Sequence, residues 1–174
     1  MAEQLSVNRA KTAVLLMDYQ VRQVNALSEA VRSKLLPTAG TVLDKARAAK
    51  IPVIFIEVVR GERTPDNALY KGFVPEPGEQ LLTKHRTGPW TTTNLDEILK
   101  KQGIDTLVLM GINTSRVVLT TVCFAADMDY KLIVLSDACA DADEELHKFL
   151  IEKIFPRSAT VTISDKFLKV LGNF

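Results

Sequence analysis

Five stretches of the chain are short, apolar and mostly β-branched: "TAVLLM" (12–17), "PVIFIEVV" (52–59), "TLVLM" (106–110), "KLIVLS" (131–136) and "TVTI" (160–163). They do not alternate apolar with polar residues, which is the pattern of strands covered on both faces. Between them the apolar positions recur at helical spacing. Residues 27–50 form the longest such segment, with Pro37 marking a restart or kink. Thr93-Asn-Leu-Asp96 resembles an N-cap with an acid three residues on, and Gly103 stands where a glycine would end that helix. Asp141-Ala-Asp-Glu144 repeats the device ahead of "ELHKFLIEKIF". Strands and helices alternating at this interval predict right-handed βαβ crossovers and an α/β fold, a parallel sheet with helices on both sides.

One segment, residues 60–80, has neither period and is rich in Pro, Gly and charge; a loop of that length in a compact domain is more often functional than not. The chain has 174 residues, 47% hydrophobic and 25% charged, which predicts one globular domain over 1–174 with a core large enough to fold unaided. Lys plus Arg (22) nearly balance Asp plus Glu (21), so no net field favours nucleic acid or an anionic membrane surface. The start, "MAEQLSVNRAK", lacks an apolar leader core, and no apolar run approaches the roughly 20 residues of a membrane span. The expectation is a soluble, cytoplasmic protein. Cys123 and Cys139 are too few for a disulfide framework and have no ligand spacing around them, which sets structural zinc aside.

Ligands of open α/β sheets bind beyond the carboxyl ends of the strands, so the residues leaving each strand are the candidates for chemistry. The first strand ends in "MDYQ" and presents Asp18, an acid that needs a cation or donors if it is desolvated. "LLTKHRTGPW" offers Lys84, a surface charge if it stands alone in a loop and a partner if it meets Asp18. "LVLMGINTSRVVLTT" runs from a strand through a sharp turn into a helix, whose unpaired N–H groups suit a developing anion. Its first helical turn holds Arg116, Val117 and Val118, none of which can attack a carbonyl.

These motifs, in this order and over nearly the whole chain, resemble the isochorismatase-like hydrolases, also called the cysteine hydrolase group, which includes nicotinamidases and N-carbamoylsarcosine amidohydrolase. The quoted anchors are "KTAVLLMDYQ", "LLTKHRTGPW", "LVLMGINTS" and "AADMDYKLIVLSDACAD". The resemblance implies a three-layer α-β-α architecture with a mainly parallel, Rossmann-like sheet, a small-molecule substrate and a homo-oligomer, dimer or tetramer. It makes Asp18 the catalytic acid/base and Lys84 its partner. It makes "GINTS" the oxyanion turn, with a cis Ile112–Asn113 peptide, and gives the oxyanion N–H groups to Asn113 and Val117.

The chain departs from that family at one place: the nucleophilic cysteine falls at Val117. Cys123 lies on a different helical face and is expected to be buried; Cys139 follows a strand on the correct edge of the sheet and is a weak replacement. Members that cleave the vinyl ether of isochorismate also lack the cysteine, and there the resemblance implies proton donation by the Asp to the methylene carbon before water adds. An anionic substrate over Lys84 suits that role, with Arg116, Arg86 and Arg60 as candidate carboxylate ligands or plain surface arginines. Gln20 and Trp90 join Arg116 as candidate substrate contacts, core packing being the alternative for Trp90. Gln20 and Arg22 occupy positions where metal-binding nicotinamidases carry ligands and supply none, so no metal or cofactor is expected. His85 is a weak substrate contact and His147 is expected to face solvent. Two readings remain: a hydrolase using Asp18 and Lys84 with water on a small carboxylated or amide-type metabolite, or a non-catalytic binding or structural member that keeps the pocket.

Overall fold

The strands pair in the order β3-β2-β1-β4-β5-β6, every neighbouring pair parallel, with β1 Thr12–Met17, β2 Val53–Val58, β3 Gln80–Lys84, β4 Thr106–Ile112, β5 Lys131–Ala140 and β6 Thr160–Thr162. The computed structural model describes residues 5–172; residues 1–4, which open the stretch read above as lacking a leader, and 173–174 lie outside the described residues. The α/β expectation holds, with a correction: the sheet has a sixth strand, β3, within what read as loop. As an edge strand it buries only Leu82 and Lys84, so it carries no continuous apolar run. Central β1, by contrast, is buried at every position.

Side chains of a strand alternate between faces, and β1 divides its residues accordingly. Val14 and Leu16 meet Leu35, Ala39, Val42, Leu43 and Ala46 of α2 (Glu29–Ala48), with Phe167 and Leu171 of α6 (Ser164–Leu171). Ala13, Leu15 and Met17 meet Leu95 and Leu99 of α3 (Leu95–Lys101), Val122 and Ala125 of α4 (Leu119–Asp127), and Leu150 and Phe155 beyond α5 (Glu144–Phe149). The three layers follow from these two apolar clusters.

The helix signals hold in part. The segment 27–50 resolves into α2, capped by Ser28, whose hydroxyl accepts the Val31 N–H at 3.3 Å, and it runs unbroken through Pro37. Pro37 is exposed, so solvent can replace the N–H it lacks. A separate short helix, α1 (Val21–Asn25), precedes it. At α3 the Thr93 hydroxyl accepts the Leu95 N–H at 3.3 Å, and Gly103, at φ +66°, closes the helix as expected. At α5 the cap is Asp143, which accepts the Leu146 N–H at 2.9 Å. Asp141 is used elsewhere.

Candidate active site

The strand order reverses direction of winding between β1 and β4, and the crevice at their carboxyl ends is where such sheets hold ligands. Asp18 leaves β1 there in the left-handed region, φ +57°, a conformation that aspartate and asparagine tolerate better than most residues. Its N–H donates to the Ile56 carbonyl at 2.8 Å and its own carbonyl accepts the Gln20 N–H at 2.8 Å, which holds the residue in place. Lys84, at the end of β3, reaches across the β2 strand end: its Nζ donates to Asp18 Oδ2 at 2.8 Å and to the Arg86 carbonyl at 3.3 Å. Both side chains are buried, Asp18 at 5% exposure and Lys84 at 1%. Asp18 Oδ1 has no hydrogen-bond partner.

Burial dominates the electrostatics of this pair. It pushes the Asp18 carboxyl up to about 6, against the opposing pull of the Lys84 charge and hydrogen bond and the weaker pull of Arg60. It also lowers the Lys84 ammonium, which Asp18 opposes and Arg60 reinforces. The two demands that compete in the sequence, an acid ready to give a proton and a cation beside it, coexist because desolvation outweighs the ion pair.

Asp18 and Lys84 line a cavity of about 310 Å³, with Asn113 and Ile112 on the β4 side. The Ile112–Asn113 peptide is cis. Beyond it the chain makes a π turn, Thr114–Val118, before α4 begins, with the N–H groups of Arg116 and Val118 donating to the Asn113 carbonyl at 3.2 and 3.4 Å. Two side-chain contacts pin this turn to the segment after β5. The Ser115 N–H and Oγ both donate to Asp141 Oδ2, at 2.8 and 2.7 Å, and Thr114 Oγ1 lies 2.8 Å from His147 Nδ1.

Residues 12–166 match the family model described as the isochorismatase domain. This chain belongs to the isochorismatase family. It is 28% identical over 192 residues to the isochorismatase family protein YwoC of Bacillus subtilis, covering 97% of this chain and 98% of that protein. It is 30% identical over 141 residues to the isochorismatase of the same organism, covering 71% of this chain and 45% of that one. Its fold is that of an isochorismatase family protein from Burkholderia thailandensis, with a TM-score of 0.85 at 24% identity over 97% of this chain and 98% of the other.

Against the family pattern, several candidate residues lie elsewhere than expected. The Val117 side chain does not line the cavity: it is 0% exposed and packs into the apolar cluster with Met17 and Val118. Gln20 is equally buried and serves the scaffold. Its Oε1 accepts the Val58 N–H at 2.8 Å, while its Nε2 donates to the Val58 carbonyl at 3.1 Å and to the Asn67 carbonyl, clamping the long loop to β2. Trp90 packs beside Tyr130, ring centroids 5.7 Å apart, against the same cluster as Val117, and is absent from the cavity wall. Arg116 and Arg60 do line the cavity; Arg86 contributes only its carbonyl to Lys84. His85 is exposed, with Nδ1 2.7 Å from the Val59 carbonyl.

The two cysteines and His147 also need correction. Cys123 is exposed, contrary to expectation, and Cys139 is buried, its thiol 3.8 Å from the Leu109 carbonyl and pushed up to about 12 by burial. A thiol so protonated is a poor nucleophile. His147 is half-buried rather than solvent-facing, and burial lowers its pKa against Asp141 and Glu144, which raise it. Among the described residues no group of His, Cys, Asp and Glu could hold a metal ion, and no helix is long and apolar enough to cross a membrane.

Residues the sequence reading missed include Ser115, Asp141 and the Thr114–His147 pair. A signal existed for the first two, since each follows an apolar strand run on what prove to be neighbouring strands. Arg22, which in the sequence stands only where a metal ligand is lacking, lines the cavity.

Proposed function

We propose that this chain is a cysteine-independent hydrolase of small carboxylated or amide-type metabolites. Asp18 is its acid/base, Lys84 the electrostatic partner, and the backbone at Asn113 the site facing developing negative charge. The observation that carries this reading is Asp18 itself: a carboxyl lining the cavity, bonded to Lys84 through one oxygen, with the other oxygen unpartnered. Its raised pKa, about 6, keeps an acid form available near neutral pH. In that form Asp18 gives a proton to the substrate as water adds to the electrophilic carbon, and the resulting carboxylate takes a proton back from the added water; the neutral adduct then collapses, its C–O or C–N bond breaking as the added hydroxyl's proton passes to the leaving alcohol or amine. Valine at position 117 supplies no attacking atom, so water is the nucleophile. The same reading takes 1–174 as one domain, cytoplasmic and assembled as a homo-oligomer; sedimentation of the purified chain reads the last point.

The test is turnover of a panel of small vinyl ethers, amides and ureido acids. Asp18→Asn keeps the shape and tolerates the left-handed backbone, so it should fold normally while turnover falls by about 10²- to 10⁴-fold. Iodoacetamide should leave activity intact. Full activity in Asp18→Asn would sink the mechanism. Val117 favours a second reading: ligands bound but never converted across the panel would make the chain a binding member that keeps the pocket.

A further inference from the structure

The starts of β1, β4, β5 and β6 lie at the end of the sheet away from Asp18, and a groove of about 800 Å³ crosses them. Its lining carries three cations, Lys11, Lys131 and Arg157, and one carboxylate, Asp105. Both oxygens of that carboxylate are committed: Oδ1 accepts the Thr106 hydroxyl at 2.7 Å and Oδ2 lies 3.6 Å from Lys11 Nζ. The side chains of Lys131 and Arg157 make no hydrogen bond or salt bridge within the chain, among the described residues, whereas Arg32, Arg47 and Arg63 are each paired with a glutamate. Two positive charges in the groove therefore have no counter-charge, and unpaired cations on a concave surface draw anions to it. The sheet also sets how close together they start. Thr160 of β6 pairs with Ile133 of β5, so Lys131 and Arg157, each a few residues ahead of that pair, enter the groove from neighbouring strand starts, which a sheet spaces about 5 Å apart. Two long side chains rooted so close can converge on one group.

We propose that this groove is a second small-molecule site, separate from the Asp18 cavity, and that it binds the phosphate group of a phosphorylated metabolite through Lys131 and Arg157. A phosphate monoester carries a charge of about −1.5 to −2 near neutral pH, which matches the two uncompensated cations. Its oxygens sit on one centre and suit a guanidinium fork beside an ammonium, where a dicarboxylate would spread its charges along a skeleton. The exposed hydroxyls of Ser158 and Thr160 add neutral donors on the same wall. The groove is larger than one phosphate needs, and Leu5, Ser6 and Pro156 supply a mixed apolar and polar surface for an organic remainder. Binding here does not require Asp18 to be an acid, so the inference stands apart from the hydrolase reading.

Calorimetric titration of the full chain at low ionic strength tests it with three probes: ribose 5-phosphate, inorganic phosphate and ribose. Ribose 5-phosphate should bind about tenfold or more tighter than ribose, and less tightly as salt is raised, as expected for charge-assisted contacts near the surface. Arg157→Gln and Lys131→Gln should each weaken it by about tenfold, and Arg157→Lys should recover part of the loss, since a point charge replaces a fork. Both residues are exposed, so these variants spare the fold. Amide NMR locates the ligand: shifts on adding ribose 5-phosphate should centre on Lys131, Ser158 and Thr160, at the groove, and not on Asn113 and Arg116, which line the other cavity. Inorganic phosphate binding as tightly as ribose 5-phosphate assigns the free ion as the ligand, and weaker binding assigns the organic phosphate. No binding of either phosphate probe, affinity unchanged in Arg157→Gln, or shifts confined to Asn113 and Arg116 overturns the proposal. Phosphate bound at the groove with no turnover of any substrate would refute the hydrolase and leave this inference standing; Asp18-dependent turnover with the groove unresponsive would do the opposite.

Discussion

At Asp18 two neighbours pull in opposite directions, and which one wins sets the pH at which the site works. Burial raises its carboxyl to about 6 even with Lys84 Nζ at 2.8 Å. If the acid form gives the proton, activity is present below that pKa and falls as pH rises through it. Lys84 is the strongest influence lowering the pKa, so Lys84→Met should move the falling limb of the kcat/KM profile to higher pH, while losing activity overall. A rising limb near the same pH would assign Asp18 the opposite proton-transfer role, and a falling limb that moves down would assign the limb to another group. Both residues were legible because each follows a run of apolar residues, and a charge in that place is seldom free of a partner. The direction of Val117 was not. Val117 lies inside a π turn, where it packs among the apolar cluster with Met17 and Val118, and Cys123, expected to be buried because helix cysteines usually are, faces solvent instead.

The element that decides the shape of the cavity is the turn Thr114–Val118, which carries Arg116 and follows Asn113. It is tied from outside by Asp141, through Ser115, and by His147, through Thr114. Asp141→Ala leaves the Ser115 N–H and hydroxyl without their acceptor. That should cost about 1–3 kcal/mol in urea unfolding and weaken anion binding at Arg116, with Asp141→Asn recovering part through its amide oxygen. Unchanged stability in Asp141→Ala would show that solvent takes over the turn. Gly111 belongs to the same device: a Cβ there would sit 3.0 Å from the Met17 carbonyl oxygen and 3.2 Å from Val118 Cγ2, so a larger residue would push β1 or the turn away by a few tenths of an ångström. The Arg63–Glu57 pair plays a comparable part for the long loop, tying it to a glutamate buried in β2 that also accepts from Thr83 at 2.7 Å.

At the scale of the whole molecule, the two apolar clusters meet on opposite faces of one parallel sheet, so exposing a group buried in the sheet requires opening the structure. The two thiols make this measurable. Cys139 is 4% exposed and its thiol is held protonated by burial, whereas Cys123 lies on the open side of α4. In native buffer, alkylation followed by peptide mass spectrometry should modify Cys123 readily, and Cys139 only at the rate of unfolding, accelerating together with the loss of native structure in urea. Comparable native rates at the two sites would mean that the end of β5 opens independently of the rest.

What the chain determines on its own is whatever depends on local composition. Central parallel strands are covered on both faces and must be apolar at nearly every position, so β1, β2 and β4 can be read directly, and with them the α/β class and the positions of Asp18 and Asn113 at strand ends. Edge strand β3 buries alternate residues over five positions, too short a pattern to separate from loop, and so Lys84 is misplaced although its chemistry is not. The remaining features were decided by tertiary structure, because each depends on which strand lies beside which and in what register. Gln20 finds its partners at Val58 and Asn67, Ser115 at Asp141, Thr114 at His147, and Arg22, Arg60 and Arg116 their common wall, only once the sheet has set the order β3-β2-β1-β4-β5-β6 and brought together strand ends that lie far apart in sequence.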